Sequence, residues 1–538
     1  MSYLDDAKNF ELNETAFHLG FLPTEQSHPA TAKMDVEFKN STTAGVRILQ
    51  SVDRDVLRMA EKVFLSPEYT ALCDAVYETI TSGHTVVFSG CGATGRLSIL
   101  LEAMWRKACP GYADQVKSIM TGGDYALVKS VESFEDYAIF GARQVRDLGM
   151  TADDLLVAIT EGGETSSVLG TVKEHTGNGG KAFLLFNNPA ELLREHLERS
   201  REAIDNPQVT VLDLFCGPMA LAGSTRMQAT TSEQLIASAA LETAAARIYS
   251  TTPAPFAAGF AALLDALESD VCVEKLAAHI DFEAEIYSAG GRVTYFADEY
   301  MLDLFTDTTE RSPTFMLPGF RRIDDDTMPE PWAFVRNPLY SSADAIRRAL
   351  GNRDLRCLKW TPLDYIAMRA PEKLVNAPPQ ISAEDLIKIP VGNELLTSRY
   401  ETGHDAAILF GYNGVPAELE FAAKVQAVDF KKFRMMDAAC GRLPRTKLKI
   451  FEHLAVKLQW NTISTGTMVK LGRVRGNWMS HVAISNKKLI DRAIRLISEL
   501  GKVDYHTACT ALFKAAQELP PGNNGAVMYA LDHILVGR

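Results

Sequence analysis

From His84 onward the chain alternates short apolar, β-branched runs with segments of helical periodicity. The runs are HTVVFSG, VKSIMTG, DLLVAIT, KAFLLFNN and VTVLDL, and between them lie stretches such as RLSILLEAMWRKA and TSSVLGTVKEHT. Strands that are apolar along their whole length must be covered on both faces, and helical crossovers join neighbouring strands in parallel. The expected class is therefore α/β, with a parallel sheet flanked by helices and ligands held at the carboxyl ends of the strands.

The rhythm then returns. The Ala-rich segment SEQLIASAALETAAARIYS is followed by TTPAPFAAGF, whose Pro253 and Pro255 mark a junction. Beyond it RVTYFAD, LRCLKWTP, DLIKIPVG and AAILFGYNG are strand candidates. A Cys-Gly pair precedes the last long helix of each half, Cys216-Gly217 in the first and Cys440-Gly441 in the second. Its matching place in the order of elements points to a diverged internal duplication. At 538 residues the chain is long enough for two such units. The expected division is an N-terminal segment 1–45, a first unit 46–252, a second unit 253–485 and a small helical segment 486–538.

Charge and cysteine usage narrow the partners. Lys and Arg total 55 against 68 Asp and Glu, a net charge of -13, with no basic tail or stripe. Nucleic acid and anionic membrane are thus poor partners, and any phosphate must be held by local groups. The eight cysteines stand singly without C-x-x-C spacing, and the eleven histidines show no H-E-x-x-H. No metal and no cofactor is expected, and the thiols are expected to be reduced. The N-terminus lacks a signal pattern and no apolar run reaches membrane length, so the expectation is a cytoplasmic protein.

Within GCGATGR, Gly90, Gly92 and Gly95 form a G-x-G-x-x-G between a strand and a helix. Taken alone it fits a dinucleotide loop, with Asp124 after VKSIMTGG as the ribose partner. However, the same chemistry recurs in TEGGETSS and AGSTRMQ. Each loop combines glycines, which admit backbone N–H groups to an anion, with hydroxyl donors. Several such loops converging suit a compact sugar phosphate, whereas a dinucleotide needs only the first.

These loops, together with TEQSHPATAKMD near the N-terminus and NTISTGTMVKLGRVRGNWMSHVAISNKKLIDRA near the C-terminus, resemble the sugar isomerase (SIS) domain superfamily. Within it the chain is similar to the group of N-acetylmuramic acid 6-phosphate etherase and glucokinase regulatory protein. The resemblance implies two tandem SIS domains. It implies phosphate-binding residues at Gly92, Ala93, Thr94 and Gly95, where the family usually has Thr-Ser in place of Ala93-Thr94. The second loop matches at Thr160, Glu161, Gly162 and Gly163, with Glu161 an unusual acid beside a phosphate site, and the third at Ser224 and Thr225. GGDYALVKSVESFEDYA places Glu135 on a sugar-contacting glutamate that takes part in acid–base chemistry in the etherase.

The two halves depart from the family pattern in complementary ways. The second etherase glutamate falls near Met104 in the first half and is absent there, while DTTERSPTF in the second half places Glu310 on it. The glycine loop survives in the first half but has become ADEYMLD in the second. The family lysine is kept as Lys457 and replaced by Gln234 in the first half. The resemblance thus implies one composite site: phosphate loops and Glu135 from the first unit, Glu310 and Lys457 from the second.

Plainer roles compete for several of these residues. Glu135 could be a solvated helix-face carboxylate, and Arg311 could simply pair with Glu310. Ser224 and Thr225 could serve only as a helix cap, and Lys457 could be a snorkelling side chain. Trp460, Met468 and Trp478 lie in helical patterns and are expected in the core. Two functions follow from the resemblance. One is a monomeric sugar-phosphate-binding protein with a sugar kinase or another regulated protein as its protein partner. The other is a carbon–oxygen lyase of the etherase type using Glu135 and Glu310 as its acid–base pair; an aldose-ketose isomerase fits less well.

Overall fold

The computed structural model of the protein describes residues 2–131, 134–411, 416, 429–432, 443–484, 486–520 and 525–535. The first sheet contains β1 (Val86–Gly90), β2 (Val116–Met120), β3 (Leu155–Ile159), β4 (Lys181–Phe186) and β5 (Val209–Asp213), in the order β2-β1-β3-β4-β5. All of its pairings are parallel. β1 and β3 are buried at every position, the burial that their unbroken apolar runs predict. A second parallel sheet comprises β6 (Val293–Ala297), β7 (Ala333–Arg336), β8 (Ala406–Phe410) and β9 (Asp429–Lys432), in the corresponding order β7-β6-β8-β9. The α/β class with helix-flanked parallel sheets is the one expected.

Two strand candidates of the second half are not strands. DLIKIPVG begins inside the helix Ala383–Ile387, because Ser382 and Asp385 form a reciprocal capping box that starts a helical turn. LRCLKWTP is drawn onto the first unit instead: the Arg356 N–H donates to Asp124, the Arg353 guanidinium binds both Asp124 oxygens, and Cys357 bridges Gly123. The strands that take their places, β7 and β9, are only four residues long and carry little periodic signal. Cys440, Gly441, Ser485 and the Tyr412-Asn413-Gly414 end of AAILFGYNG lie outside the described residues.

The two sheets are joined through matching helices. Gly92–Ala108, which follows β1, packs against Met301–Phe315, which follows β6. The long helices Gln228–Ile248 and Ile450–Lys470 pack against each other in the same way. One apolar cluster therefore runs from Phe88 and Leu235 to Phe451 and Trp460, while a smaller one covers the other face of the first sheet. Trp460 and Met468 are fully buried and Trp478 is half-buried against the same cluster. The chain ends also meet: Tyr3–Asn13 packs on Tyr505–Glu518, and buried Glu25 pairs with Arg492 and Arg495 of the helix Lys487–Gly501. Among the described residues no helix is long and apolar enough to cross a membrane.

Helices Ala138–Leu148 and Ser166–Gly177, which follow the two loops bearing Glu135 and Glu161, approach closely through glycines. A Cβ on Gly141 would lie 1.8 Å from the Ser167 carbonyl oxygen, and one on Gly170 would lie 2.0 Å from that of Ala138. Backbone atoms cannot yield as a side-chain tip does, so Gly141→Ala or Gly170→Ala should force the helices apart at a cost of about 1–3 kcal/mol. Denaturant melts should show the midpoint falling in each variant. An unchanged midpoint would contradict this packing.

Candidate functional site

The carboxyl end of β1 leads directly into the helix Gly92–Ala108. Gly92 takes a φ of +56°, and a Cβ at Gly90 would meet the Thr94 carbonyl oxygen at 2.4 Å, so glycine is required for this turn. The turn leaves the first amides of the helix at the rim of a cleft between the two units, the position where an anion is favoured. Cleft-lining residues include Gly92 and Ala93 from this turn, Glu135, and Glu161 from the loop after β3. Ser224, Thr225 and Arg226 line it from the loop before Gln228–Ile248. Glu310 enters from the second unit, and a Cβ at Gly92 would lie 3.8 Å from its Oε1. The cleft is partly open to solvent, so a small ligand can enter it.

Other predicted residues stand behind this wall. Thr94 turns inward: its hydroxyl donates to the Cys91 carbonyl and accepts from the Cys91 N–H. Gly95 lies against Gly90 and Met120. Thr160 donates to the Thr165 hydroxyl, Gly162 accepts from Asn188, and Gly163 packs on Leu193 and Phe186 with a φ of +75°. Lys457 does not line the cleft. Its ammonium donates to the carbonyls of Arg226 and Met227, at 2.8 and 3.2 Å, and to the Thr231 hydroxyl at 2.8 Å. Burial drives it down to about 7. It thus fixes the third loop from the opposite unit rather than reaching a ligand itself.

Glu310 pairs with the buried Arg96 of the first unit, and Arg311 instead binds Glu283 and Asp307. Ser224 Oγ is buried without a hydrogen-bond partner among the described residues, whereas a helix cap would have satisfied it. The cleft also contains residues the sequence reading missed: Arg226, Asn486, Lys488 and Arg492. Lys488 and Arg492 are i, i+4 neighbours in the first turns of a helix whose cap, Asn486, accepts from the Leu489 N–H. That capped basic pair in SNKKLIDRA is a legible signal. Only the folding of the C-terminal helix over the first unit shows that it faces the cleft. Gly223, with a φ of +74°, admits it, since a Cβ there would lie 2.6 Å from Arg492 Nε.

Each cation of this wall is matched. Lys488 binds Glu164 at 2.9 Å, Arg199 binds the same carboxylate at 2.8 Å, Arg492 binds Glu25 at 2.7 Å and Arg226 binds Asp307 at 2.8 Å. Burial alone would raise Glu25 and Glu164, but the cations beside them outweigh it and hold both at about 2. Among the described residues no group of three or more His, Cys, Asp or Glu side chains could hold a metal.

Residues 69–175 match the family model of the glucokinase regulatory protein N-terminal SIS domain. N-acetylmuramic acid 6-phosphate etherase 1 of Bacillus licheniformis is 28% identical over 41% of this chain and 67% of its own length. The etherase of Aeromonas hydrophila subsp. hydrophila is 29% identical over 40% and 68%. Tagatose-6-phosphate ketose/aldose isomerase of Escherichia coli superposes over 81% of this chain and 94% of its own, with a TM-score of 0.41 and 11% identity. Together these matches support a SIS-domain protein of the group that contains the etherase and glucokinase regulatory protein.

The matched carboxylates set the acid limit of the fold. Glu25, Glu164 and Glu283, each held at about 2, lie below the 4.5 of a free glutamate. The unfolded chain therefore takes up their protons first, so their stabilisation is complete above about 4.5 and is lost as pH falls toward 2. Thermal melts between pH 6 and 2.5 should show a steep decline below about 4.5, shallower in Glu25→Gln and Glu164→Gln. A decline identical in all three proteins would contradict the assignment.

Proposed function

We propose that this chain is a sugar-phosphate-binding protein whose ligand, a hexose or amino-sugar phosphate, sits in the cleft between its two units. The observation that supports it most is the joint wall, in which the glycine turn at Gly92 faces Glu310 of the other unit. The phosphate is assigned to the amides of Gly92 and Ala93 and to the Ser224-Thr225 loop, with Lys488 beside it. Glu135 and Glu310 accept hydroxyls of the sugar. The matching strand orders and helix pairings favour two SIS domains in one chain, so that a monomer holds a complete site. Units that close on a sugar phosphate respond to it only through its differential affinity for the open and closed forms. That is the behaviour of a sensor acting on a protein partner such as a sugar kinase.

A lyase reading stands beside it because the matched relatives are etherases and both glutamates lie in the cleft. The Arg96 pair favours binding over catalysis: it engages one Glu310 oxygen and leaves the group as an acceptor for hydroxyls. Calorimetry with fructose 6-phosphate should give saturable binding that Lys488→Ala weakens by tenfold or more, equivalent to about 1.4 kcal/mol. The same protein incubated with N-acetylmuramic acid 6-phosphate should release no lactate. Lactate release that Glu135→Gln abolishes would establish the lyase, and absence of binding to any hexose or amino-sugar phosphate would overturn both readings.

A further inference from the structure

We infer that Glu161 acts as a proton-carrying hydrogen-bond donor to the ligand, so that this cleft takes up a phosphate together with one proton. The inference rests on the sugar-phosphate reading and assigns it a specificity residue. Glu161 lines the cleft from the loop after β3. Its Oε1 accepts from the Thr230 hydroxyl at 3.3 Å, and the carboxyl also meets the residue's own backbone N–H. It lies within the shell of hydroxyl and amide donors that would surround a phosphate.

An ionised Glu161 would repel a phosphate bound beside it. The positive groups of the wall, Lys488, Arg492 and Arg226, are each matched to a carboxylate, and Arg96 is matched to Glu310. Among the described residues that line the cleft, each positive charge is thus already matched before a phosphate dianion lies against a further carboxylate. A protonated carboxyl removes the conflict, because it presents one O–H donor much as a serine hydroxyl would.

The groups facing Glu161 are Lys488 from the C-terminal helix, Glu310 from Met301–Phe315, Glu233 from Gln228–Ile248 and Cys91 at the end of β1. Burial pushes Glu233 and Cys91 well up, favouring their neutral forms. Burial likewise raises Glu161 to about 7, with Lys488 opposing and Glu310 adding to the rise. The protein therefore enters the neutral range with this proton only partly in place, and ligand binding completes it. The balance is simple: one proton from solvent joins the Glu161 carboxylate, the resulting O–H donates a hydrogen bond to the dianion, and no bond of the ligand is made or broken.

The test is calorimetric titration of the full chain with fructose 6-phosphate between pH 6 and 8.5, in two buffers of different ionisation enthalpy. Wild type is compared with Glu161→Gln and Glu161→Ser, each checked by thermal melting. The wild-type Kd should weaken by about tenfold per pH unit above about 7, with uptake approaching one proton. Both variants should bind with little pH dependence, the serine variant more tightly than wild type at pH 8.5. A wild-type Kd that is flat from pH 7 to 8.5 without proton uptake overturns the role of Glu161 and leaves the sugar-phosphate reading standing. No binding by any of the three proteins at any pH overturns both.

Discussion

The structure depends on a buried ion network that crosses between its two halves. Arg226, at the end of the third glycine-containing loop, donates to Asp307 at 2.8 Å, to Asn461 at 3.2 Å and to Thr465 at 3.2 Å, all in the second half. Asp307 also accepts from Arg311, which in turn binds Glu283 beneath Tyr295 and Tyr287. Two guanidinium groups and two carboxylates, all fully buried, cancel in charge. Removing any one would strand a charge in the core, which typically costs roughly 3–5 kcal/mol. Such a network adds less to stability than a well-packed apolar core does, but it sets orientation, because each bond is directional. The Ser224-Thr225-Arg226 loop is held in place from the opposite unit, with Lys457 gripping its carbonyls.

That dependence explains which parts of the molecule were legible in the sequence. The first sheet was, because β1, β3 and β4 are apolar runs between helical segments and nothing in their surroundings overrides local preference. In the second half the same criteria failed for LRCLKWTP and DLIKIPVG. Arg353 and Arg356 are captured by Asp124 and Glu102 of the first unit, and Ser382 caps a helical turn; neither effect belongs to hydrophobic periodicity. The cleft lining was legible at Gly92 and at Glu310, whose neighbours form a long specific motif. Arg96 and Arg226 were hidden because an arginine's role depends on which carboxylate reaches it. Lys488 and Arg492 were hidden because their partners lie more than 300 residues away in the chain.

The charge distribution of the cleft follows from the same design. A glycine turn at a helix start supplies partial positive charge without a side chain, and the third loop supplies hydroxyls. The full positive charges around them are locked to carboxylates that fasten the chain ends and the second unit to the first. The cations thus serve the architecture first, and a ligand meets a wall of matched charges that Glu135, Glu161 and Glu310 also line. Recognition then rests on hydrogen-bond geometry more than on net charge, which suits a sugar with many hydroxyls and an acidic protein with no electrostatic attraction for anions at long range.

The most direct test of one site built by both halves is a crystal structure of the protein grown with a hexose phosphate. The account predicts ligand density in the cleft, with the phosphate against the amides of Gly92 and Ala93 and the sugar touching Glu310 of the second unit. Density confined to residues of one unit, or a ligand bound outside this cleft, would contradict it.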